Sequence, residues 1–192
     1  MRFHIVTLAF AILTACGGGG AGSVTDRAAS ANALDAKLAG INVSNPQQLP
    51  TSGRAQYNGY MRANLPTEDN GARLNYLGDL TLDVNFGAAR DEVAGQATGF
   101  TNGGGKRLDG SVAITGGDLY RDTDPAVNYT FTGDVGGRLT QGNRAFVIDA
   151  EIEGEFRGRD QDAVRGLLFG DVTGPDGQDI FDGTFAATRI VD

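Results

Sequence analysis

Apolar residues recur at every second position through most of this chain, and that period commits it to sheet. Leu80, Leu82, Val84 and Phe86 alternate with Thr81, Asp83 and Asn85. Phe146, Ile148, Ala150, Ile152, Gly154 and Phe156 make the longest such run. A period of two places successive side chains on opposite faces of a strand, so one face is apolar and the other polar. Ala55, Tyr57, Gly59, Met61 and Ala63 share a face in the same way. Further segments run from Val93 to Thr101, from Leu108 to Thr115 with Val112 and Ile114 on one side, and through Tyr129, Phe131 and Gly133. Val164 to Val172 and Ile180 to Arg189 complete the set. Turn residues separate these segments at Thr101-Asn102-Gly103, Thr115-Gly116-Gly117-Asp118, Gln141-Gly142-Asn143 and Pro175-Asp176-Gly177.

No long helical pattern interrupts the strands, so parallel βαβ units are not expected. The expected fold is all-β: a single eight-stranded antiparallel up-and-down β-barrel, whose closure removes exposed sheet edges. Glycine, at 30 of 192 residues, is well above the usual ~7%. It has no collagen-like period and belongs to turns, bulges and strand interiors. A transmembrane barrel would turn its apolar face outward and carry aromatic girdles. This chain has no tryptophan and few aromatics, so the apolar face is expected inside. Periodicity alone leaves open whether that interior is filled or hollow.

The first residues read as an address. Met1-Arg2 gives a short positive start, and Phe3 to Leu13 is apolar but too short to span a bilayer. Leu13-Thr14-Ala15-Cys16 resembles the bacterial lipobox, in which the cysteine is acylated and becomes the new N-terminus. Cys16 is thus the expected lipidation site, and several acyl chains anchor firmly at about 0.8 kcal/mol per buried methylene. Gly17 to Ser23 reads as a flexible linker. No aspartate follows Cys16, which by resemblance to the sorting signals of diderm bacteria favours the outer membrane. Asp26 to Leu38 is alanine-rich and suits either a short helix or a partly ordered tether, with Asp26 or Ser30 as N-cap and Gly40 as stop. The expected organisation is a signal peptide over 1–15, a lipidated, tethered segment over 16–53 and a barrel over 54–192.

Composition removes several chemistries. The only cysteine is Cys16 and the only histidine is His4, inside the signal segment. The mature chain would have no thiol, disulfide or imidazole, which argues against zinc and against Ser-His-Asp or Cys-His catalysis. Loss of residues 1–15 removes one base, Arg2, leaving 15 Lys+Arg against 24 Asp+Glu, a net −9. Such a surface repels nucleic acid and anionic lipid. No carboxylate pair stands out, and the chain is expected to be non-enzymatic. No cofactor or metal is expected. The acidic loops Asp122/Asp124/Asn128, Asp160/Asp162 and Asp176/Asp179/Asp182 lack EF-hand spacing and suit turn chemistry.

Several short motifs occur in a fixed order: Tyr57-Asn58-Gly59-Tyr60, then Leu80 to Phe86 followed by Val93-Ala94-Gly95, then Leu108-Asp109-Gly110. Gly154-Glu155-Phe156-Arg157-Gly158 precedes Ala163-Val164-Arg165-Gly166, and Phe181-Asp182-Gly183-Thr184-Phe185 comes near the end. Together they resemble the β-barrel domain of transferrin-binding protein B and its surface-lipoprotein, solute-binding relatives, over about Arg54 to Arg189. Arg157 stands where that family often has an aromatic, and only one barrel is present where the full receptor pairs barrels with handle domains. The resemblance implies an outer-membrane lipoprotein, at the cell surface or on the periplasmic face, that binds a host or carrier protein, haem or a small solute. Candidate ligand-binding residues are Tyr57, Tyr60 and Tyr120, as recognition aromatics, and Arg157, Arg159 and Arg165, as forked anion donors. The alternatives are a structural envelope lipoprotein without a ligand and a lipocalin-like carrier of a small apolar molecule.

Overall fold

The computed structural model describes residues 23–87 and 92–191. The expected signal peptide, Cys16 and the expected linker up to Gly22 lie outside the described residues. One helix, α1 (Val24–Ala39), and a 3-10 turn (Pro46–Gln48) precede eight strands. These are β1 (Arg54–Leu65), β2 (Leu74–Asn85), β3 (Val93–Asn102), β4 (Asp109–Leu119), β5 (Phe131–Gln141), β6 (Arg144–Arg157), β7 (Ala163–Gly174) and β8 (Gly177–Arg189). Each strand pairs antiparallel with the next, and β8 pairs back onto β1, closing an up-and-down barrel.

The period-two pattern sets which face points inward. Along β6 every second residue from Phe146 to Phe156 is buried, and along β2 Leu80, Leu82 and Val84 are buried. All eight strands feed one interior cluster that includes Met61, Ala97, Ile114, Val135, Leu168 and Phe181. Each fully buried aliphatic or aromatic side chain of this kind contributes roughly 1.5–3 kcal/mol. Phe156 is an aromatic hub, 5.3 Å from Phe131, 5.8 Å from Phe86 and 6.2 Å from Tyr57 between ring centroids. The interior is therefore a packed core, not the ligand cavity that a lipocalin-like carrier requires.

Glycines make room for the rings. Gly154 lies directly across from Phe131, and Gly166 directly across from Phe185. A Cβ at Gly154 would sit 2.2 Å from the Phe131 ring, and one at Gly78 would sit 2.7 Å from the Phe100 ring. Part of the glycine excess thus belongs to the barrel wall, where a ring fills the missing side chain's place at Gly78 and Gly154, and the neighbouring strand's backbone does at Gly59, Gly95 and Gly183.

The two ends of the barrel differ. One end, the turn pole, carries the connections after β1, β3, β5 and β7. At Gly142-Asn143 the φ of Gly142 is +61°, which supplies the left-handed first position of a two-residue hairpin turn. The other end, the loop pole, carries the connections after β2, β4 and β6, the last two being 120–130 and 158–162. Thr115-Gly116-Gly117-Asp118, which reads as a turn in the sequence, is instead a bulge inside β4. The register with β5 shifts between Thr115 and Asp118, and Gly116 takes the left-handed φ of +63° that the extra residue needs. Tyr129, grouped above with Phe131, precedes β5 and belongs to the loop.

Helix α1 forms where alanine-rich sequence meets a capping box. Ser23, rather than Asp26 or Ser30, is the N-cap; it accepts from the Asp26 N–H while the Asp26 carboxylate accepts from the Ser23 N–H. Gly40 ends the helix with a φ of −87°, outside the left-handed region. The helix lies along the outer wall from turn pole to loop pole. Near its start Arg27 pairs with Asp79 and donates to the Gly99 carbonyl. Further on, Asp35 pairs with Arg62. Near its end Leu38 packs on Ala163 and Ala186. The chain then crosses the loop pole: Ser44 N–H donates to the Phe156 carbonyl, Gly158 N–H donates to the Asn42 carbonyl, and Leu49 joins the main core.

Gly154→Ala should lower stability by about 1–3 kcal/mol, because the methyl must displace a ring inside a filled core. Urea melts monitored by circular dichroism check this. An unchanged midpoint would mean that Phe131 swings aside at no cost.

Candidate functional site

The longest fully described connection between strands, Tyr120 to Thr130, is built as a fixed base with an exposed tip. Tyr120 N–H donates to the Thr130 carbonyl, and Thr130 N–H donates to the Gly154 carbonyl at 2.8 Å, so the loop leaves the barrel as a continuation of its ladder. The buried Thr130 hydroxyl also donates to the Gly154 carbonyl and accepts from the Phe156 N–H. Asp124 organises the tip, its carboxylate accepting from Ala126 N–H and its carbonyl from Val127 and Asn128 N–H. That turn holds Val127 outward at 76% exposure.

Arg121 clamps the base. Its guanidinium donates to the Pro50 carbonyl at 3.0 Å and the Phe86 carbonyl at 2.9 Å, and it lies 3.6 Å from the Glu92 carboxylate. Glu92 in turn accepts from Leu119 N–H. Three separate segments of the loop pole are thereby joined at one side chain.

Between this loop and the outer wall lies an open groove of about 730 Å³. Tyr120, Val127 and Tyr129 line it from the loop, and Thr132 of β5 and Glu153 of β6 line it from the wall. The Tyr120 hydroxyl is 2.9 Å from the Thr132 hydroxyl, which orients the ring. Partial burial, then the carboxylates of Glu153 and Glu155, raise the Tyr129 phenol above its ordinary pKa, with Arg165 opposing. Like any phenol, that of Tyr129 is neutral at physiological pH and can both donate and accept. Two tyrosines, an exposed valine and a carboxylate around one open groove suit recognition of a surface.

The six candidate binding residues are dispersed by the structure. Tyr57 points into the barrel and donates to the Gln161 carbonyl at 2.9 Å. Tyr60 lies on the outer wall beside Ala31 and Asp35 of α1. Arg157 pairs with Glu155 and donates to the Ile41 carbonyl, which ties the crossing segment to β6. Arg165 sits across from the same Glu155 at 3.8 Å. Arg159 borders a separate cleft with Asn42, Val43 and Asn45. Of the six, Tyr120 is the one in the groove. Sequence reasoning did not single out Val127 or Glu153, although Glu153 stands in a legible row of acids at alternate positions of β6.

The acids of the Asp176/Asp179/Asp182 loop are committed to arginines. Arg144 binds both Asp69 and Asp176, and Arg73 binds both Asp179 and Asp182. Among the described residues, no three of His, Cys, Asp and Glu are placed to hold a metal ion.

No protein-family model matches the chain, and no curated protein does. Two crystal structures of mutants of transferrin-binding protein B from Haemophilus parasuis, a vaccine antigen, are similar in fold. A double mutant gives a TM-score of 0.50 at 15% identity, over 79% of this chain and 28% of that one. A single mutant gives 0.47 at 17% identity, over 79% and 29%. The chain spans less than a third of that protein's length. The likeness is one of fold: an eight-stranded barrel of the transferrin-binding protein B kind.

Two substitutions separate base from groove. Arg121→Ala should cost about 1–3 kcal/mol by leaving two part-buried carbonyls without a donor and removing the tie between loop segments, whereas Tyr120→Ala at a half-exposed site should cost under about 1 kcal/mol. Urea midpoints of the two variants check the difference, and equal losses would refute it. Burial also raises the Tyr57 phenol far above its ordinary value of 10.0. Because the folded-state value is the higher one, the neutral phenol stabilises the fold fully below about pH 10, and that contribution is lost as pH rises further. Tyr57→Phe should therefore flatten the alkaline fall in urea midpoint between about pH 10 and about pH 12.

Proposed function

We propose that this chain is a non-enzymatic, lipid-anchored outer-membrane protein whose barrel captures a protein partner at its loop pole. The observation that carries the reading is polarity along the barrel axis. Ser23 caps a helix whose first turn lies beside Thr101 and Gly103 at the turn pole, while the tyrosine-lined groove lies at the opposite end. A diacylated Cys16 just ahead of Ser23 would hold the turn pole towards the membrane and present the groove away from it. The lipobox-like Leu13-Thr14-Ala15-Cys16 supports the anchor. The fold likeness supports a protein as the kind of partner, since the similar structures belong to a protein named for binding transferrin. The packed interior favours capture on the outside of the barrel over a haem or small solute held within it.

Capture at the surface needs the barrel outside the cell. Protease digestion of intact cells should cleave the wild-type protein, and Cys16→Ala should shift it from the membrane to the soluble fraction and abolish that cleavage. Protection of the wild type until the outer membrane is opened would overturn surface capture. Membrane retention of Cys16→Ala would overturn the anchor.

A further inference from the structure

The groove does not end at the loop. Its floor residue Glu153 belongs to an outward row on β6 that continues through Glu151 and Asp149, and neighbouring strands add Asp134 and Asp171. Two like-charged pairs stand directly across from one another: Asp134 opposite Glu151, and Asp149 opposite Asp171. Directly opposed like charges destabilise a sheet, so this arrangement opposes folding.

Several acids elsewhere are matched by a cation, and Asp83 and Asp109, which have no cation partner among the described residues, stand across from no other acid. Asp79, Asp35, Asp69, Asp176, Asp179, Asp182 and Glu155 all lie within 4.0 Å of an arginine. None of the five acids on the β5–β6–β7 face has a cation partner among the described residues. Phe169, 41% exposed, lies directly across from Glu151 on this same face.

We propose that the groove and this acidic face form one continuous docking surface, and that its occupant is a basic, extended segment of another protein carrying apolar side chains. The proposal rests on the groove being the capture site. Charge complementarity selects the occupant. A cationic chain relieves both like-charged pairs, whereas a second copy of this acidic chain, a nucleic acid or an anionic membrane meets repulsion. Geometry selects the extended form. The acids of β6 recur every second residue, and an extended segment presents alternate side chains at that same spacing. The apolar part of the occupant meets Phe169 along the face and Val127 with the tyrosines at the groove.

The test uses a fluorescein-labelled alternating Arg-Ser peptide ending in leucines, with an alternating Glu-Ser peptide as control, titrated onto the full chain. The combined variant Asp134→Asn, Asp149→Asn and Glu151→Gln, all outside the groove, should weaken Arg-Ser binding about tenfold or more. It should also raise the melting temperature, because the fold is relieved of like charge. A variant of equal charge change away from the face, with Asp83, Asp109 and Asp160 each→Asn, should change binding less than about twofold. Equal loss in both variants, or no loss in the first, would overturn the proposal in favour of net charge alone. Val127→Ser with Tyr120→Ala tests the groove independently. Loss there with no loss in the face variant removes the basic partner and leaves the groove standing. Loss in the face variant with none here removes the groove as the capture site.

Discussion

Eight residue pairings between β1 and β8, from Tyr57 opposite Arg189 to Asn64 opposite Asp182, turn a twisted sheet into a tube. Closure leaves no free edge, and it also fixes an interior of limited size that must be filled. The wall answers with a division of labour between neighbours. Where one strand places a phenylalanine inward, the next supplies a glycine, as at Phe131 with Gly154 and Phe185 with Gly166. A side chain at those glycines would collide with the ring, and removal of the ring would leave a void. Part of the glycine excess is thus a consequence of closing a small barrel around large aromatics.

The filled interior moves function to the outside, where the segment ahead of β1 gives the barrel a direction. It rides the wall as α1, passes beneath the loop pole and contributes Leu49 to the core. Arginines perform the long-range fastening. Arg157 reaches Ile41, Arg121 reaches Pro50 and Phe86, and Arg73 reaches Asp179 and Asp182. Each joins segments far apart in sequence, and each leaves the loop it serves with a rigid base. The groove owes its shape to such a base under Tyr120 and Val127.

The strands were legible because one face of each is buried, and burial imposes the two-residue period. Gly116-Gly117 misled because a bulge and a turn call for the same residues. What separates them is the continued pairing of Asp118 and Leu119 with β5, a non-local fact. Ser23 was obscured as a cap by the glycine run before it, although Asp26 three residues later completes its capping box. Tyr57 shares a face with Ala55 and Met61, so its burial follows from parity. Tyr60 and Tyr120 fall on outward or loop positions, and nothing local distinguishes a packed tyrosine from a free one. The binding partners of Arg157 are invisible in sequence, because one of them, Ile41, lies in a different part of the chain. The acids of β6 could be read as a row, but their lack of partners depends on the register of β5 and β7.

The route of α1 along the wall has a mechanical consequence. A pull on the chain ahead of Ser23, directed away from the turn pole, acts along the helix axis. It loads the Arg27–Asp79 and Arg62–Asp35 pairs and the Leu38 contact together, in shear, rather than opening them one after another as peeling would. The hydrogen bonds of Asn42 and Ser44 to the end of β6 stand next in line along the chain. Because Arg62 belongs to β1 and Ala186 to β8, part of that load falls on both strands of the closing seam at once, so the contacts that seat the helix also couple a pull at the N-terminus to the closure.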